Sequence, residues 1–212
     1  MKNIAVFVSG GGTNLQAIID GIKSGKITNG KISLVLSSKD DVYALTRAKD
    51  NNIPIEIIRR KEYPDQDEFS QKILEKMKLY SIDLIILAGF LSVLSEDFIK
   101  LYENKILNVH PALIPAFCGK GFYGLKVHEK VLERGVKLSG ATVHFVNEIT
   151  DGGPIILQKA IEVKNGDTPE SLQGRIMTEC EQIILAKAVN LFCNDMLDVK
   201  NNIVYIKNPE EL

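Results

Sequence analysis

The chain has 212 residues, of which 45% are hydrophobic and 25% are charged. That composition is typical of a globular protein with enough apolar residues for one large domain. A formal net charge of −1 leaves no surplus of cations for a nucleic-acid backbone, so we expect small-molecule substrates and no nucleic-acid partner. No apolar run reaches the roughly 18 residues of a membrane span. Because a short strand follows the first residues directly, we expect no membrane association and a cytoplasmic location.

The cysteines and histidines do not indicate a metal centre. The cysteines are odd in number and lack a C-x-x-C spacing, which predicts free thiols in a reducing compartment. The histidines show none of the spacings that hold zinc, so we expect no metal cofactor. These residues are Cys118, Cys180, Cys193, His110, His128 and His144. We interpret His128, which lies in a predicted helix, as structural.

The first predicted element is a buried parallel strand at residues 4–8, where every residue is apolar. The glycine turn (residues 9–14) follows it and leads into a helix. Its glycines let the backbone approach an anion, and the helix start offers free N–H groups, so the turn predicts a phosphate site. The alternative is a turn that needs glycine for its geometry alone. No lysine follows as in a P-loop, and Leu15 stands where a dinucleotide fingerprint has its third glycine.

Repeated strand and helix patterns predict a doubly wound α/β fold, with a mostly parallel, Rossmann-like sheet and helices on both faces. Predicted strands cover residues 32–37, 55–58 and 82–88, and predicted helices cover 42–51 and 66–80. The most apolar strand, 82–88, belongs beside the first, so that a crevice opens where the strand order reverses. The apolar loop 89–94 suits a flat aromatic ligand or, alternatively, simple helix packing. We expect a single domain over residues 1–212, with a core of about 3–190 and a tail of about 191–212.

Asn108 and His110 end the next predicted strand, residues 106–109, just before Pro111. Residues i and i+2 of a strand point to the same face, so both side chains can act on one atom. A neutral amide donor beside a titratable imidazole suits an oxygen that becomes negative during acyl transfer. The alternative is a strand end whose histidine bonds a backbone carbonyl.

The rest of the chain is predicted as a flap, a helix, two strands and a long C-terminal helix. The flap (residues 111–124) is rich in glycine, proline and aromatic residues and is expected to be mobile. The helix covers residues 127–134, the strands 141–146 and 155–163, the long helix 168–194, and an edge strand 203–206. Strand 141–146 alternates so that Thr142 and His144 share a face. The simplest interpretation of Asp151, which precedes two glycines and a proline, is a turn residue that bonds its own backbone. Glu179 and Glu181 are interpreted as part of a solvated helix face.

With these motifs described, the sequence resembles the phosphoribosylglycinamide formyltransferases, the folate-dependent transformylase family of purine synthesis. The resemblance covers residues 3–190, and four ordered motifs are far more specific together than any one alone. They are V-S-G-G-G-T-N-L-Q-A-I at 8–18, L-A-G-F-L at 87–91, L-N-V-H-P-A-L-I-P at 107–115, and V-H-F-V at 143–146 with D-G-G-P at 151–154.

The resemblance implies a role for each site residue. Asn108, His110 and Asp151 would form the catalytic group, with His144 as a candidate supporting residue. The substrate phosphate would be held by Gly12, Thr13 and Asn14, and the ribose by Glu181. The implied folate site consists of Arg60, Leu91, Ser92, Val93, Leu94, Asn108, Asn147, Glu148, Ile149, Thr150 and Asp151. The cosubstrate would be 10-formyltetrahydrofolate, and the protein a monomer or a weak homodimer.

Three places depart from the family pattern. Ser92 stands where an arginine is common in the folate loop. The flap is longer than in many members at residues 117–124. The spacing from Arg175 to Glu181 is one residue longer, which leaves Glu179 open as the ribose contact.

The expected reaction is a direct attack of the glycinamide amine on the formyl carbon, without a covalent enzyme intermediate. Asn108 and protonated His110 are expected to stabilise the negative formyl oxygen. If Asp151 lies near His110, it should raise the pKa of the imidazole and accept the amine proton.

Three alternatives remain open. A methionyl-tRNA formyltransferase normally adds a C-terminal RNA-binding domain and a basic surface, which this sequence does not show. A formyltetrahydrofolate hydrolase normally brings an N-terminal regulatory domain, whereas this chain begins at its first strand. A non-catalytic mononucleotide-binding module would use the glycine turn alone and leave Asn108, His110 and Asp151 without a role.

Overall fold

A seven-stranded sheet forms the centre of the protein, whose computed structural model describes residues 1–207. Its strands are β1 (Lys2–Val8), β2 (Gly30–Ser37), β3 (Ile55–Ile57), β4 (Leu84–Leu87), β5 (Ile106–His110), β6 (Leu138–Phe145) and β7 (Ile155–Glu162). They lie side by side in the order β3, β2, β1, β4, β5, β6, β7. Strands β1 to β5 run parallel, whereas β6 and β7 are antiparallel to their neighbours. The predicted doubly wound, mostly parallel sheet is therefore confirmed.

Helices cover both faces of this sheet. They are α1 (Thr13–Lys23), α2 (Tyr43–Asp50), α3 (Gln66–Met77), α4 (Glu96–Leu101), α5 (Leu125–Arg134), α6 (Pro169–Ile176) and α7 (Gln182–Cys193). Along β1, alternate side chains face two different cores. Ile4, Val6 and Val8 pack with residues of α1, α2, α6 and α7, whereas Ala5 and Phe7 pack with residues of α3 and α4. Burial on both faces explains the unbroken apolar run.

The strand order reverses between β1 and β4. From β1 the chain proceeds through β2 to β3 on one side, and from β4 through β5 on the other. The crossover helices therefore diverge at this point, and a crevice opens beyond the carboxyl ends of the two strands. Phe7 pairs with Leu87, and Leu87 pairs with Asn108, so the glycine turn after β1 and the polar end of β5 lie at one edge of the sheet.

The short elements that were not predicted include a helix and a π-helical turn. The helix α4 begins after Ser95, whose Oγ accepts a hydrogen bond from the Phe98 N–H at 3.3 Å. Only Phe98 of its six residues is buried, which is too few for a helical period. The predicted helix at 168–194 begins with the expected proline at its first position, but a π-helical turn (Met177–Glu181) separates α6 from α7.

The predicted edge strand at residues 203–206 is present, but it belongs to a second sheet. The strands β8 (Leu197–Lys200) and β9 (Ile203–Ile206) form a separate two-stranded antiparallel sheet and do not extend the main one. Residues 208–212 of the predicted tail lie outside the described residues. Within residues 1–207, no helix combines the length and the apolar character that a bilayer crossing requires.

Candidate active site

Asn108, His110 and Asp151, here called the trio, lie together although Asp151 comes 41 positions after His110 in the sequence. The Asp151 Oδ2 lies 3.6 Å from His110 Nδ1, and its Oδ1 accepts a long, 3.5 Å hydrogen bond from Asn108 Nδ2. The Asp151 side chain is 9% exposed and that of His110 is 5% exposed. The structure thus brings a nearly buried carboxylate to the two strand residues.

The flap covers the imidazole of His110. The His110 Nε2 lies 2.8 Å from the carbonyl oxygen of Phe117. Because a carbonyl only accepts, this nitrogen carries the proton and donates it, which is the alternative raised for a lone histidine at a strand end. Phe117 has a positive φ of 50°, a conformation that few non-glycine residues adopt.

A second contact joins the flap to the carboxylate. The Gly119 N–H donates a 2.8 Å hydrogen bond to Asp151 Oδ2, the oxygen that also faces His110. Asp151 itself has a positive φ of 55°, which aspartate tolerates better than most residues. It is therefore both the turn residue expected by default and a member of the trio.

His144 orients the amide of Asn108. The two residues are directly paired between β5 and β6, and Asn108 Nδ2 lies 3.1 Å from His144 Nε2. The His144 Nδ1 lies 2.8 Å from the Phe145 carbonyl oxygen, so it carries the proton and leaves Nε2 to accept from the amide. Asp151 Oδ1 lies 3.7 Å from the same Nε2. Both N–H groups of Asn108 consequently point toward His144 and Asp151.

Burial controls the titration of the trio. Desolvation lowers the pKa of His110 below its usual 6.5, although Asp151 and the Phe117 carbonyl oppose this change. Asp151 therefore raises the pKa of His110 as expected, but the cost of burying the cation is larger, and the expected protonated His110 is not favoured. Burial also raises the pKa of Asp151, but the neighbouring His144 and His110 and the hydrogen bond from the Gly119 N–H outweigh it, and the net pKa is lowered. An ionised Asp151 beside a neutral His110 is the state favoured near neutral pH.

The glycine turn begins α1 without a side-chain cap. Gly12 occupies the N-cap position with φ 72° and ψ 31°, and none of the described side chains caps the helix there. The first N–H groups of α1 therefore keep their donor capacity, as an anion site requires. The Thr13 hydroxyl donates to the sulfur of Met177 at 3.3 Å.

Glu181 faces this turn, whereas Glu179 faces solvent. The Asn14 Nδ2 donates to Glu181 Oε2 at 2.9 Å, and Glu181 is 4% exposed. Glu179 pairs with Arg175 on the outside, with half of its side chain exposed. The solvated-face interpretation is thus right for Glu179 and wrong for Glu181. The π-helical turn takes up one additional residue and separates the two orientations, in keeping with the longer spacing noticed in the sequence.

Burial raises the pKa of Glu181, and the hydrogen bond from Asn14 opposes that rise. The Asn14 Oδ1 is buried and has no hydrogen-bond partner among the described residues. A buried acceptor without a partner is costly in a folded protein and is expected to bond a ligand or water.

Comparison with known proteins identifies the family. A family model described as formyl transferase matches residues 2–189. The phosphoribosylglycinamide formyltransferase of Haemophilus influenzae is 39% identical over 206 residues, which cover 97% of this chain and 94% of that protein. The chain belongs to the phosphoribosylglycinamide formyltransferase family.

Solved structures give the same result. Glycinamide ribonucleotide transformylase 1 from Symbiobacterium toebii matches with a TM-score of 0.91 and 39% identity, covering 98% of this chain and 95% of that one. A formyltetrahydrofolate deformylase from Pseudomonas syringae matches with a TM-score of 0.86 at 23% identity, covering 98% of this chain and 66% of that one. At that identity, the match to the deformylase shows a common fold alone.

The folate residues implied by the family resemblance divide into two groups, of which the first surrounds the loop 91–94. Leu91 and Val93 are 59% and 67% exposed, whereas Leu94 is 5% exposed and packs in the core. The Leu91 N–H donates to Ser9 Oγ at 3.1 Å, so the loop is attached to the end of β1. Arg60 follows the edge strand β3, donates to the Tyr63 carbonyl at 2.7 Å and lies 5.7 Å from the ring centre of Phe69.

The second group is the loop from Asn147 to Asp151. The Asn147 Oδ1 accepts from the Ile149 N–H at 3.1 Å, which holds the turn that presents Asp151. The side chains of Glu148, Ile149 and Thr150 are exposed. Five side chains of the two groups are therefore exposed and offer surface to a ligand, while Leu94 offers none.

Sequence reasoning missed the contacts made by the flap and by Ser9. The Ser9 hydroxyl joins the Leu91 N–H and the Ser38 hydroxyl, 2.8 Å away, and so links three loops at one edge. A serine directly after a buried strand was the available signal. The bonds of Phe117 and Gly119 use backbone atoms, for which no residue pattern exists. Within residues 1–207, no group of three or more His, Cys, Asp or Glu side chains is arranged to hold a metal.

Proposed function

We propose that the protein transfers the formyl group of 10-formyltetrahydrofolate to the amine of 5'-phosphoribosylglycinamide, a step of purine biosynthesis, in the cytoplasm and as a monomer or weak homodimer. The observation that carries this proposal is the position of the Asp151 carboxylate, 3.6 Å from His110 and within reach of Asn108, at the sheet edge that also holds the glycine turn. Its curated relatives include phosphoribosylglycinamide formyltransferases that match over nearly their whole length.

The ribonucleotide would bind across the glycine turn. Its phosphate would accept hydrogen bonds from the N–H groups of Gly12, Thr13 and Asn14, where the α1 dipole favours a negative charge. The Glu181 carboxyl, already held by Asn14, would accept from a ribose hydroxyl. The neighbouring ribose hydroxyl would donate to Asn14 Oδ1, which has no partner within residues 1–207.

The folate would bind on the other side of the trio. The exposed side chains of Leu91 and Val93 suit the flat pterin ring, and the loop from Asn147 to Asp151 borders the formyl group. Arg60 would face the more distant, acidic part of the folate. Ser92 contributes backbone contacts, because its short side chain does not replace an arginine.

During the reaction, the amine nitrogen forms a bond to the formyl carbon, and the formyl oxygen becomes negative. The oxygen would accept from Asn108 and from the Nε2–H of His110, which now points at the Phe117 carbonyl. The Phe117 carbonyl oxygen lies where the formyl oxygen would accept this hydrogen bond. The flap would move away from that position when the folate binds. A neutral imidazole is sufficient as donor, and each donor stabilises the oxyanion by about 3–4 kcal/mol.

The carboxylate of Asp151 would receive the proton from the attacking amine. Its Oδ2 accepts from the Gly119 N–H at 2.8 Å, so the substrate N–H would take the place of a flap N–H. The proton then passes to the folate nitrogen, either directly or through water, as the bond from the formyl carbon to that nitrogen breaks. No covalent bond to the enzyme forms, and the proton count balances.

The test is a formyl-transfer assay with purified full-length protein. It follows the loss of 10-formyltetrahydrofolate with and without 5'-phosphoribosylglycinamide. We expect formylated ribonucleotide in equal amount to folate consumed, and little formate release without the acceptor. Formate release that does not depend on the ribonucleotide would identify a hydrolase instead. The absence of any reaction, with or without the ribonucleotide, would favour a non-catalytic mononucleotide-binding module.

A further inference from the structure

We propose that Arg47 of α2 is a positioning residue for phosphate recognition, because it holds the glycine turn in the conformation that binds an anion. This inference rests on the proposed function, since it concerns the phosphate of the same ribonucleotide. Arg47 belongs to none of the motifs that identify the family in the sequence. Its contacts are made to the backbone of the turn and to the helix that follows it.

The guanidinium of Arg47 is fixed on three sides. Its Nε donates a 2.9 Å hydrogen bond to the carbonyl oxygen of Gly11, and its Nη1 donates to Gln16 Oε1, also at 2.9 Å. Its central carbon lies 4.8 Å from the centre of the Tyr43 ring. A planar fork with two donors and a stacking face suits arginine and cannot be reproduced by lysine.

The helix α2 also contacts the rest of the turn. The Ala44 N–H donates to the Gly10 carbonyl at 3.2 Å, so two successive carbonyls of the turn are held by α2. A side chain on Gly12 would bring its Cβ within 2.7 Å of Ala44 Cβ, which shows how closely the two segments approach. The turn therefore has a rigid support on its α2 side.

This support determines where the turn's N–H groups point. In a trans peptide the carbonyl and the N–H of the same unit point in opposite directions. Since the carbonyls of Gly10 and Gly11 bond to α2, the N–H groups of Gly11 and Gly12 point away from it. The two carbonyl oxygens, which would repel a phosphate, are turned to the Ala44 N–H and the Arg47 guanidinium, and donors are left for the anion.

The charge of Arg47 adds to the same effect. The guanidinium of Arg47 is a cation that lies against the carbonyl of Gly11, one residue before the N-cap of α1. The adjacent Glu181 is a carboxyl whose ionised form would repel a phosphate. A fixed cation next to the turn offsets that repulsion. The unpartnered, buried Asn14 Oδ1 at the same helix start is independent evidence that a ligand completes this site.

The test compares Arg47→Met with Lys49→Met in the full-length enzyme. Lys49 is an exposed cation on the same helix, so the control removes an equal charge without touching the turn. We expect Arg47→Met to raise KM for phosphoribosylglycinamide at least about tenfold, the effect of losing one charge-assisted hydrogen bond. KM for the folate and kcat should stay within about threefold of the unmodified enzyme, and Lys49→Met should change none of them.

Two further measurements keep the outcome decisive. Ribose 5-phosphate, used as a competitive inhibitor, should lose affinity in Arg47→Met as much as the substrate does. Arg47→Lys should have a KM for phosphoribosylglycinamide between those of the unmodified enzyme and Arg47→Met, because it keeps the charge and loses the planar fork. If Arg47→Met does not fold, Arg47→Lys is compared with Lys49→Met instead. The proposal is overturned if Arg47→Met matches Lys49→Met, or if KM rises equally for both substrates. Failure of the unmodified enzyme to formylate the ribonucleotide would instead refute the proposed function.

Discussion

At the carboxyl edge of the sheet, the trio and the glycine turn differ in how their polar groups are held. In the trio, His110 donates to the Phe117 carbonyl, and Asp151 accepts from the Gly119 N–H. In the glycine turn, the N-cap of α1 receives no side-chain hydrogen bond from the described residues, and α2 holds the turn from behind. Under the proposed function, substrate would therefore replace protein partners at the trio, whereas it would add partners at the turn.

This difference indicates that the trio determines turnover and that the glycine turn determines affinity for the ribonucleotide. Groups that already bond to the protein gain little from a ground-state ligand, but they are oriented for a charge that develops later. Groups that lack partners gain from binding at once. Mutations in the trio should accordingly lower kcat, and mutations at the turn should raise KM for the ribonucleotide.

The largest effect is expected for Asn108→Ala. Removing one of the two proposed oxyanion donors should lower kcat by about 100-fold or more while KM for the ribonucleotide changes little. Steady-state kinetics with both substrates would check this. A large rise in KM with unchanged kcat would place Asn108 in binding and would remove the distinction between the two regions.

A smaller effect is expected for His144→Phe. Its Nε2 lies 3.1 Å from Asn108 Nδ2 and holds the amide in place. Without this acceptor the amide rotates more freely, and we expect kcat to fall about tenfold, as for other supporting residues. His144→Gln, which keeps an acceptor, should recover part of the loss. Equal activity of the two variants would contradict an orienting role.

At the turn, Thr13→Val should raise KM for phosphoribosylglycinamide by about fivefold and leave KM for the folate unchanged, because the hydroxyl that Thr13 would offer to the phosphate beside its N–H is lost. The shape of the side chain is kept, and only its 3.3 Å contact to Met177 is removed in the free enzyme. The two KM values, measured on the same preparation, decide the point. An equal change in both would place the phosphate elsewhere.

The smallest effect, on stability, concerns His128 behind the trio. It is fully buried, and neither ring nitrogen has a hydrogen-bond partner among the described residues. Burial lowers the pKa of His128 from 6.5 to about 4, so the unfolded chain binds a proton in this range that the folded chain does not. The free energy of unfolding is therefore not reduced by His128 above pH 6.5. As the pH falls to 4, protonation of His128 in the unfolded chain lowers the free energy of unfolding by about 3 kcal/mol.

His128→Leu should reduce this loss and should raise the free energy of unfolding at pH 7 by about 1–2 kcal/mol, because an unpaired polar group is removed. Some pH dependence would remain, since the pKa of His110 is also lowered by burial. Urea unfolding at several pH values measures both quantities. A destabilised variant at pH 7 would show that the ring nitrogens have partners in solution.

The two regions also differ in how far the sequence predicts them. The glycine turn is local: a buried strand, three glycines and a helix follow one another, and the structure has the same arrangement. The fold class follows from repeats of such units. The trio joins β5 to a loop beyond β6, so its geometry depends on strand order and on an antiparallel pairing that puts Asn108 opposite His144.

The contacts that could not be predicted from the sequence depend on backbone geometry. The flap contacts come from a carbonyl and an N–H, which every residue has. Glu181 and Glu179 have the same chemistry, and only the π-helical turn decides which faces Asn14. The effect of Asp151 on the pKa of His110 was predicted, but the larger, opposite effect of burial was not, because a motif does not reveal burial.

The most direct test of the account measures kcat and ribonucleotide affinity in Asp151→Asn, with Glu129→Gln, an exposed carboxylate on α5, as the matched control. We predict that kcat falls by at least about 100-fold in Asp151→Asn, because the proton acceptor is lost. Calorimetry should show phosphoribosylglycinamide binding unchanged within about twofold. Near-normal turnover in Asp151→Asn, or a loss of binding as large as the loss of turnover, would contradict the separation of chemistry from phosphate recognition.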